Sequence, residues 1–296
     1  MKKKVLLMVL CVSIILSACG GTEPDIVING KLFIEANLIA EIMAQLVEAQ
    51  TDLVVGRGFD LPSAISFESV VQGDADIYPG YLGTMLMNYL NQEVEMGTSP
   101  AEILQRTRDG LLETFDIVLL DSPGFSNSFA VAVHRDFAQE NNIVTKSDLV
   151  PFTPQMVFGA EHTFFVDRFD GFYNMIEAYG FEFSDYVIMD VAIKYQSFAQ
   201  GMMDALIIYT TDPQLAAFDD LLVLEDDLNF FPSYDFHPVI RRDTLERFPE
   251  IEQALSVLWG RLTNEDMVRF NYMVFSEQAT IPQAAAAFIS EFGLLD

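Results

Sequence analysis

The chain has 296 residues, about two domains' worth at ~100 to 200 residues per domain. Half of it (51%) is hydrophobic, which allows a packed core and excludes a disordered acidic tail. The formal net charge of −28 would repel a phosphate backbone, so we expect no nucleic-acid partner. Cys11 and Cys19 are too few for a disulfide framework or a cysteine-rich zinc site.

Residues 1–18 have the pattern of an export signal. A basic start (MKKK) precedes an apolar run over residues 5–16, which is short for a membrane span, and the run ends in LSACG. Small residues before a cysteine resemble a bacterial lipobox, which would make Cys19 a lipidation site and anchor the chain outside the cytoplasm. The alternative is an ordinary secretory signal with an incidental cysteine. Residues 19–25 are then a short polar tether.

From residue 26 onward, alternating strand and helix patterns predict an α/β fold. Strands are predicted at residues 26–28, 53–55, 75–78, 116–120, 129–133, 156–158, 186–191, 206–209 and 221–224. Helices are predicted at residues 33–48, 65–71, 79–90, 171–179 and 195–199, and the chain is mainly helical after residue 244. Pro79 is taken as a first helical residue, which would put Tyr81 and Thr84 on one helix face.

Two distant segments share one pattern of punctuation. FESVVQG (residues 67–73) precedes DIYP, and YQSFAQG (residues 195–201) precedes DALIIY. Each combines a helix, a glycine stop, an acidic residue, a buried strand and a tyrosine. The repetition predicts two similar lobes with a tyrosine at the carboxyl end of a parallel strand, where open α/β sheets bind ligands. The alternative is chance, because such punctuation is common in α/β proteins.

Catalytic patterns are sparse, so we expect no enzyme and no cofactor. His134, His162 and His237 are scattered and form no metal-binding motif, and no phosphate-binding or nucleophile motif occurs. The acidic residues 219–220 and 225–227 lack the alternating ligands and turn glycine of a calcium loop, which favours a solvated surface.

The tyrosines are better candidates for a binding site. Aromatic rings around a cation attract it through their electron-rich faces, and this suits a quaternary ammonium group, which donates no hydrogen bonds. The alternative for any one of these rings is a packing role in the core.

Three segments resemble the glycine betaine/carnitine/choline-binding lipoproteins of ABC importers. They are INGKLFIE (residues 28–35), GDADIYPGYLGT (residues 73–84) and VLEDDLNFFPSY (residues 223–234). The similarity continues in the same order through DRFDG (residues 167–171) and YTTD (residues 209–212), so that it covers nearly the whole chain after the signal. The resemblance implies a two-lobed periplasmic-binding-protein fold (type II), with a ligand cleft between lobes joined by two hinge crossings.

The same resemblance implies the site residues. An aromatic cage for trimethylammonium would be formed by Tyr81, Phe129, Tyr209 and Tyr234. Lys31 and Thr84 would add polar contacts, and Arg168 would clamp a ligand carboxylate. The alternative for Arg168 is a structural ion pair with Asp167 or Asp170.

Some positions depart from the family pattern and leave the ligand preference open. Phe129 stands where the family commonly has tyrosine, Gly80 replaces a glutamate, and Ile34, Ala36 and Asn37 differ near the first loop. The large negative charge is interpreted as adaptation of an exposed protein to salt or low pH.

The resulting expectation is a monomeric, lipid-anchored, extracytoplasmic receptor. It would capture a quaternary ammonium osmoprotectant and deliver it to ABC permease subunits. Residues 26–125 plus 232–296 would form lobe 1, and residues 126–231 lobe 2. The alternatives are a receptor for another cationic or zwitterionic amine, or a partner-docking or sensor lipoprotein with a vestigial cleft.

Overall fold

The computed structural model describes residues 23–166 and 168–295. Within these residues the strands form two sheets of five strands each, in the orders β2-β1-β3-β10-β4 and β7-β6-β8-β5-β9. The strands are β1 (Ile26–Asn29), β2 (Val55–Gly58), β3 (Ile77–Tyr81), β4 (Ile117–Leu119), β5 (Phe129–His134), β6 (Val157–Ala160), β7 (Asp185–Ile188), β8 (Ala205–Tyr209), β9 (Leu221–Val223) and β10 (Phe236–Arg241).

Helices flank both sheets and follow the last strand, β10, toward the end of the described chain. They are α1 (Ile34–Gln50), α2 (Ser63–Gln72), α3 (Leu82–Thr84), α4 (Pro100–Phe115), α5 (Arg135–Asn141), α6 (Lys146–Leu149), α7 (Phe172–Tyr179), α8 (Val191–Ala199), α9 (Arg242–Arg247), α10 (Glu250–Ser256), α11 (Asn264–Phe275) and α12 (Ile281–Glu291). Short 3-10 turns lie at Val150–Gln155, His162–Phe164 and Pro213–Ala216, and a π-helical turn at Met85–Tyr89. None of the helices within the described residues combines the length and apolar character needed to cross a bilayer.

The two sheets are built on one plan. In each, three parallel strands are followed by a strand that arrives antiparallel from the other half of the molecule: β10 pairs with β3, and β5 pairs with β8. Strands β5 and β10 therefore occupy equivalent places. The residues that enter them, Phe129 and Phe236, lie directly opposite Tyr209 and Tyr81 respectively.

The repeated sequence pattern has the same structure in both halves. Helices α2 and α8 are each followed by a glycine with positive φ, Gly73 and Gly201. The aspartate three residues after each glycine accepts a hydrogen bond from a neighbouring strand at 2.7 Å. Asp76 accepts from the amide of Val27, and Asp204 accepts from the amide of Val157. The two aspartates thus join the third parallel strand of each sheet to the first.

The prediction of a helix from Pro79 is wrong. Pro79 and Tyr81 belong to β3, where Pro79 lies opposite Pro238 and Tyr81 opposite Phe236. The helix begins only at Leu82, so Tyr81 and Thr84 do not share a helix face. The pairing partner, β10, lies far along the chain, and this non-local pairing outweighs the local preference of proline for a helix start.

The crossings between the halves run side by side. The amide of Asn127 donates to the carbonyl of Tyr234 at 3.2 Å, and Ser126 forms an antiparallel bridge with Asp235. The side chain of Asn264, at the start of α11, holds both backbone groups of Ser126 at 2.9 Å. Cys19 and the signal lie outside the described residues, and their assignment stays a prediction.

Candidate ligand-binding site

An aromatic cluster lies at the edge of the second sheet that faces the crossings. The rings of Phe129 and Tyr209 have centroids 4.7 Å apart, and Tyr234 meets Phe129 edge-on at 6.1 Å. Phe231 and Phe164 extend the cluster, at 5.8 and 5.4 Å from Phe129. Phe129 and Tyr234 are buried, whereas Tyr209 is half-buried. The structure therefore brings together three of the four rings implied by the resemblance.

Arg168 lies against this cluster and is paired with a buried carboxylate. Its Nε and Nη2 donate to Asp170 at 2.6 and 3.0 Å, and its guanidinium carbon lies 4.9 Å from the ring centroid of Phe129. The Tyr234 hydroxyl donates to the same carboxylate at 2.5 Å and accepts from Arg168 Nη2 at 3.2 Å. Burial lowers the pKa of Arg168, but Asp170 together with Tyr234 and Tyr209 outweighs this effect, and the pKa is raised overall. The ion pair with Asp170 is thus present.

The fourth ring, Tyr81, belongs to a second group at the edge of the first sheet. The ammonium of Lys31 lies 4.3 Å from the ring centroid of Tyr78 and 4.5 Å from that of Tyr81. Burial lowers the pKa of Lys31 to about 7, although the nearby Glu35 opposes the shift. The amide of Lys31 donates to Asn37 Oδ1 at 3.0 Å, so one of the residues that departs from the family pattern positions this loop.

Glu35, in the first turn of α1, connects this group to the rest of the molecule. Its carboxylate accepts from the Tyr81 hydroxyl at 2.7 Å, from Asn127 of the crossing at 2.9 Å, and from Asn271 of α11 at 3.0 Å. The same Asn271 amide donates to the carbonyl of Thr211 beyond β8 at 3.0 Å. Burial raises the pKa of Glu35, and these hydrogen bonds oppose the shift. One carboxylate therefore ties Tyr81, a crossing and both sheets together.

The two groups meet at the short helix α3. A Cβ placed on Gly83 would come within 2.8 Å of the ring of Tyr234, so only glycine fits here without displacing that ring. The amides of Leu82 and Gly83 donate to the carbonyls of Asp235 and Ser233 at 3.1 and 3.0 Å. Thr84 follows directly and is half-buried.

A cleft runs past Arg168 between the two halves of the molecule. A cavity of about 700 Å³ is lined by residues 87, 88 and 91–95 of the first half and by 166 and 168–170 of the second. A further cavity of about 570 Å³ reaches Phe129 and Phe231. Among the described residues, no group of three or more His, Cys, Asp or Glu side chains could hold a metal ion.

Sequence reasoning left Glu35 and Phe231 out of the site. Glu35 lies within the segment INGKLFIE that carried the resemblance, and Phe231 lies within VLEDDLNFFPSY. Their positions in those segments were the available signal. What the sequence could not show is that Glu35 contacts Asn127 and Asn271, which lie far along the chain.

Two sheets of identical strand order, joined by paired crossings around a cleft, define a two-lobed type II periplasmic binding protein. A solved structure described as a glycine betaine/carnitine/choline ABC transporter superposes with a TM-score of 0.85 at 26% identity, covering 92% of this chain and 100% of that one. Residues 24–291 match the family described as the substrate binding domain of ABC-type glycine betaine transport systems, and the chain belongs to this family.

Curated relatives agree with this assignment. The carnitine transport binding protein OpuCC of Listeria monocytogenes is 29% identical over 92% of this chain and 91% of its own length. A glycine-betaine-binding protein of Pseudomonas aeruginosa is 30% identical over 91% and 88%. The ergothioneine transport permease/ergothioneine binding protein EgtU of Helicobacter pylori is 30% identical over 92% of this chain. The chain spans about half (48%) of that last protein's length.

Proposed function

We propose that this protein captures a quaternary ammonium compatible solute (glycine betaine, carnitine or choline) between its lobes and presents it to ABC permease subunits. The ligand's trimethylammonium group is held by Phe129, Tyr209 and Tyr234 from one side and by Tyr81 from the other. The observation that carries the proposal is the cluster of rings at the cleft-facing edge of the second sheet, with Phe129 and Tyr209 at 4.7 Å. Rings so arranged contribute roughly 0.5 to 2 kcal/mol each to binding a desolvated cation.

Two cationic side chains suit the other end of a zwitterionic ligand. Arg168 and Lys31 approach the site from opposite lobes, and each has its own carboxylate, Asp170 and Glu35. Arg168 supplies positive charge for a ligand carboxylate, and Thr84 adds a hydroxyl from α3. The alternative role of Arg168, as a structural partner of Asp170, predicts that its removal affects all ligands alike and lowers stability.

The remaining parts of the proposal concern the setting. The protein acts as a monomer, is not an enzyme, and is anchored through a lipidated Cys19 on the extracytoplasmic face of the cell membrane. Lobe 1 comprises residues 26–125 plus 232–296 and lobe 2 residues 126–231. In support, the described strands fall into two sheets, and neither sheet has a strand that spans a proposed boundary.

The test is calorimetric titration of the chain from residue 20 onward with glycine betaine, carnitine and choline. We expect at least one of them to bind, and Tyr209→Ala to weaken that binding by about 3- to 30-fold, because one ring face is lost. Tyr186→Ala is the matched control: this tyrosine is 46% exposed on the edge strand β7 and should leave the affinity unchanged.

Failure of all three ligands to bind would overturn the proposal. Binding of an unmethylated amine instead would indicate a receptor for another cationic or zwitterionic amine. Ligand-independent capture of permease subunits, with no amine bound, would point to a docking protein with a vestigial cleft.

A further inference from the structure

A second buried carboxylate, Glu161, stands beside the aromatic cluster and has no part in the function proposed above. Strands β6 and β8 are parallel neighbours in which Gly159 pairs with Leu206. Two residues further along each strand, Glu161 is level with Ile208 and next to Tyr209. Glu161 therefore lies at the carboxyl ends of parallel strands, the edge at which open α/β sheets bind ligands. Its charge contributes to the raised pKa of Tyr209, whose main cause is burial.

Only one of the two carboxylate oxygens of Glu161 accepts a hydrogen bond from the described residues. Its Oε1 accepts from the ammonium of Lys194, a fully buried side chain. Its Oε2 is buried and has no hydrogen-bond partner among the residues that the structure describes, and Glu161 as a whole is only 7% exposed. A buried oxygen of this kind costs roughly 1–3 kcal/mol, and more when charged, unless a donor reaches it. Arg168, which lies against Phe129 of the same aromatic cluster, is engaged by Asp170.

The first lobe shows what a completed arrangement looks like. There, buried Lys31 and buried Glu35 each contact Tyr81, which occupies the same place at the end of β3 as Tyr209 does at the end of β8. There, both oxygens of the glutamate have donors from within the chain. In the second lobe, the Tyr195 hydroxyl donates to Asp212, and Glu161 Oε2 receives no hydrogen bond from the described residues. Unlike Glu35, Glu161 therefore has one carboxylate oxygen without a donor among the described residues.

We infer that Glu161 selects for a ligand with a hydrogen-bond donor, so that the protein takes hydroxylated quaternary ammonium compounds in preference to donor-free ones. This inference rests on the proposed function. Choline and carnitine each carry one hydroxyl, which can donate to Glu161 Oε2, whereas glycine betaine has no N–H or O–H group at all. The hydroxyl supplies the missing donor, and the aromatic cluster holds the trimethylammonium group.

The experiment compares ligands that differ only in the hydroxyl. Choline is titrated against ethyltrimethylammonium, and carnitine against 4-trimethylammoniobutanoate, each partner being the same skeleton without the oxygen. Because the donor-free ligands are smaller, a clash cannot weaken them. A hydrogen bond to a charged acceptor predicts that the hydroxylated member binds about 10- to 100-fold more tightly. This comparison uses the unmodified protein and so does not depend on any variant folding.

A variant then assigns the preference to Glu161. Glu161→Gln keeps the shape but removes the charge, and we expect the choline to ethyltrimethylammonium affinity ratio to fall by about fivefold or more. Glu41→Gln is the matched control, because Glu41 is also buried and ion-paired, to Arg57 at 2.7 Å, but lies on α1 facing β2. It should leave the ratio unchanged.

Equal affinities within both matched pairs would overturn the inference while leaving the proposed function standing. An affinity ratio of unchanged size in Glu161→Gln would overturn it as well, because the charged carboxylate of Glu161 would then contribute nothing to the preference. If none of these quaternary ammonium ligands binds, the proposed function and this inference both fail.

Discussion

Lys31 carries its charge in a place that burial makes unfavourable. Its pKa is lowered from 10.5 to about 7 by burial, and Glu35 offsets only part of this. Between these two values the unfolded chain holds a proton on this lysine that the folded chain has lost. By linkage the free energy of unfolding therefore rises with pH in this window, by at most about 1.4 kcal/mol per pH unit.

We accordingly expect Lys31→Met to flatten the rise in stability between about pH 7 and pH 9, measured by urea unfolding at each pH. Lys146, whose pKa burial lowers to about 8, is the comparison, since Lys146→Met should remove a separate part of the same slope. A slope unchanged in both variants would show that neither ammonium is desolvated as the structure places it.

Arg168 distinguishes a ligand clamp from a structural ion pair. If the guanidinium binds a ligand carboxylate, Arg168→Gln should weaken glycine betaine and carnitine by about 10- to 100-fold and choline far less. If Arg168 only partners Asp170, its removal leaves the Asp170 carboxylate buried without a counter-ion. The effect on affinity is then the same for all three ligands, and the free energy of unfolding falls. The double variant Arg168→Gln with Asp170→Asn separates the two, because it removes the uncompensated charge. Calorimetry with the three ligands gives the answer.

Among the elements, α3 has its backbone packed directly against the Tyr234 ring of the site. Gly83→Ala places a methyl group within 2.8 Å of the ring of Tyr234, which must move. Since the Tyr234 hydroxyl is bonded to Asp170, we expect ligand affinity to fall by about tenfold, with a modest loss of stability.

Gly180→Ala is the control for the stability loss in that experiment. Gly180 has a φ of 73° and open space around its Cβ position, so alanine is strained there but meets nothing. It should lower the melting temperature without changing the affinity, measured on the same ligand. Unchanged affinity in Gly83→Ala would mean that the Tyr234 ring does not contact ligand.

Local patterns predicted most of the elements, but they misplaced β2, took part of β3 for a helix and missed β10, whose pairing partners lie far along the chain. The periodicity of Leu38, Ile42 and Leu46 predicted α1, and the turn at Gly73 predicted the end of α2. The strand at residues 53–55 was placed too early, because β2 runs from Val55 to Gly58, and its two glycines and one arginine do not form a recognisable strand pattern. Pro79 led to a wrong helix prediction, because β3 continues through it and pairs there with the distant strand β10.

The candidate site follows the same division. Tyr81, Phe129, Tyr209 and Tyr234 were proposed through motif resemblance, and aromatic rings of these types suffice for a cation site. The pairing of Phe129 with Tyr209 and of Phe236 with Tyr81 could not be read from the sequence, because each pair joins strands that lie far apart along the chain. The contacts of Glu35 were hidden for the same reason.

At the scale of the whole molecule, charge is the dominant property. With a formal net charge of −28, the negatively charged side chains repel one another. Salt screens this repulsion, because the Debye length falls to ~3 Å at about 1 M. We expect the melting temperature to rise by several degrees between about 0.05 and 1 M NaCl, with KCl acting equally. A melting temperature independent of salt and pH would remove the interpretation of the charge as an adaptation to salt or low pH.

The paired crossings also dictate an order of assembly. The second sheet is encoded within one uninterrupted stretch, from Phe129 to Val223, and holds all its strands by the time that stretch is complete. The first sheet is interrupted: β3, the strand with Tyr81 at its end, has an unpaired edge until β10 has been synthesised. A nascent chain thus completes its second sheet while β3 of the first still has an unpaired edge, the kind of edge that promotes aggregation. Under the export proposed above, that incomplete sheet would need protection until β10 has crossed the membrane.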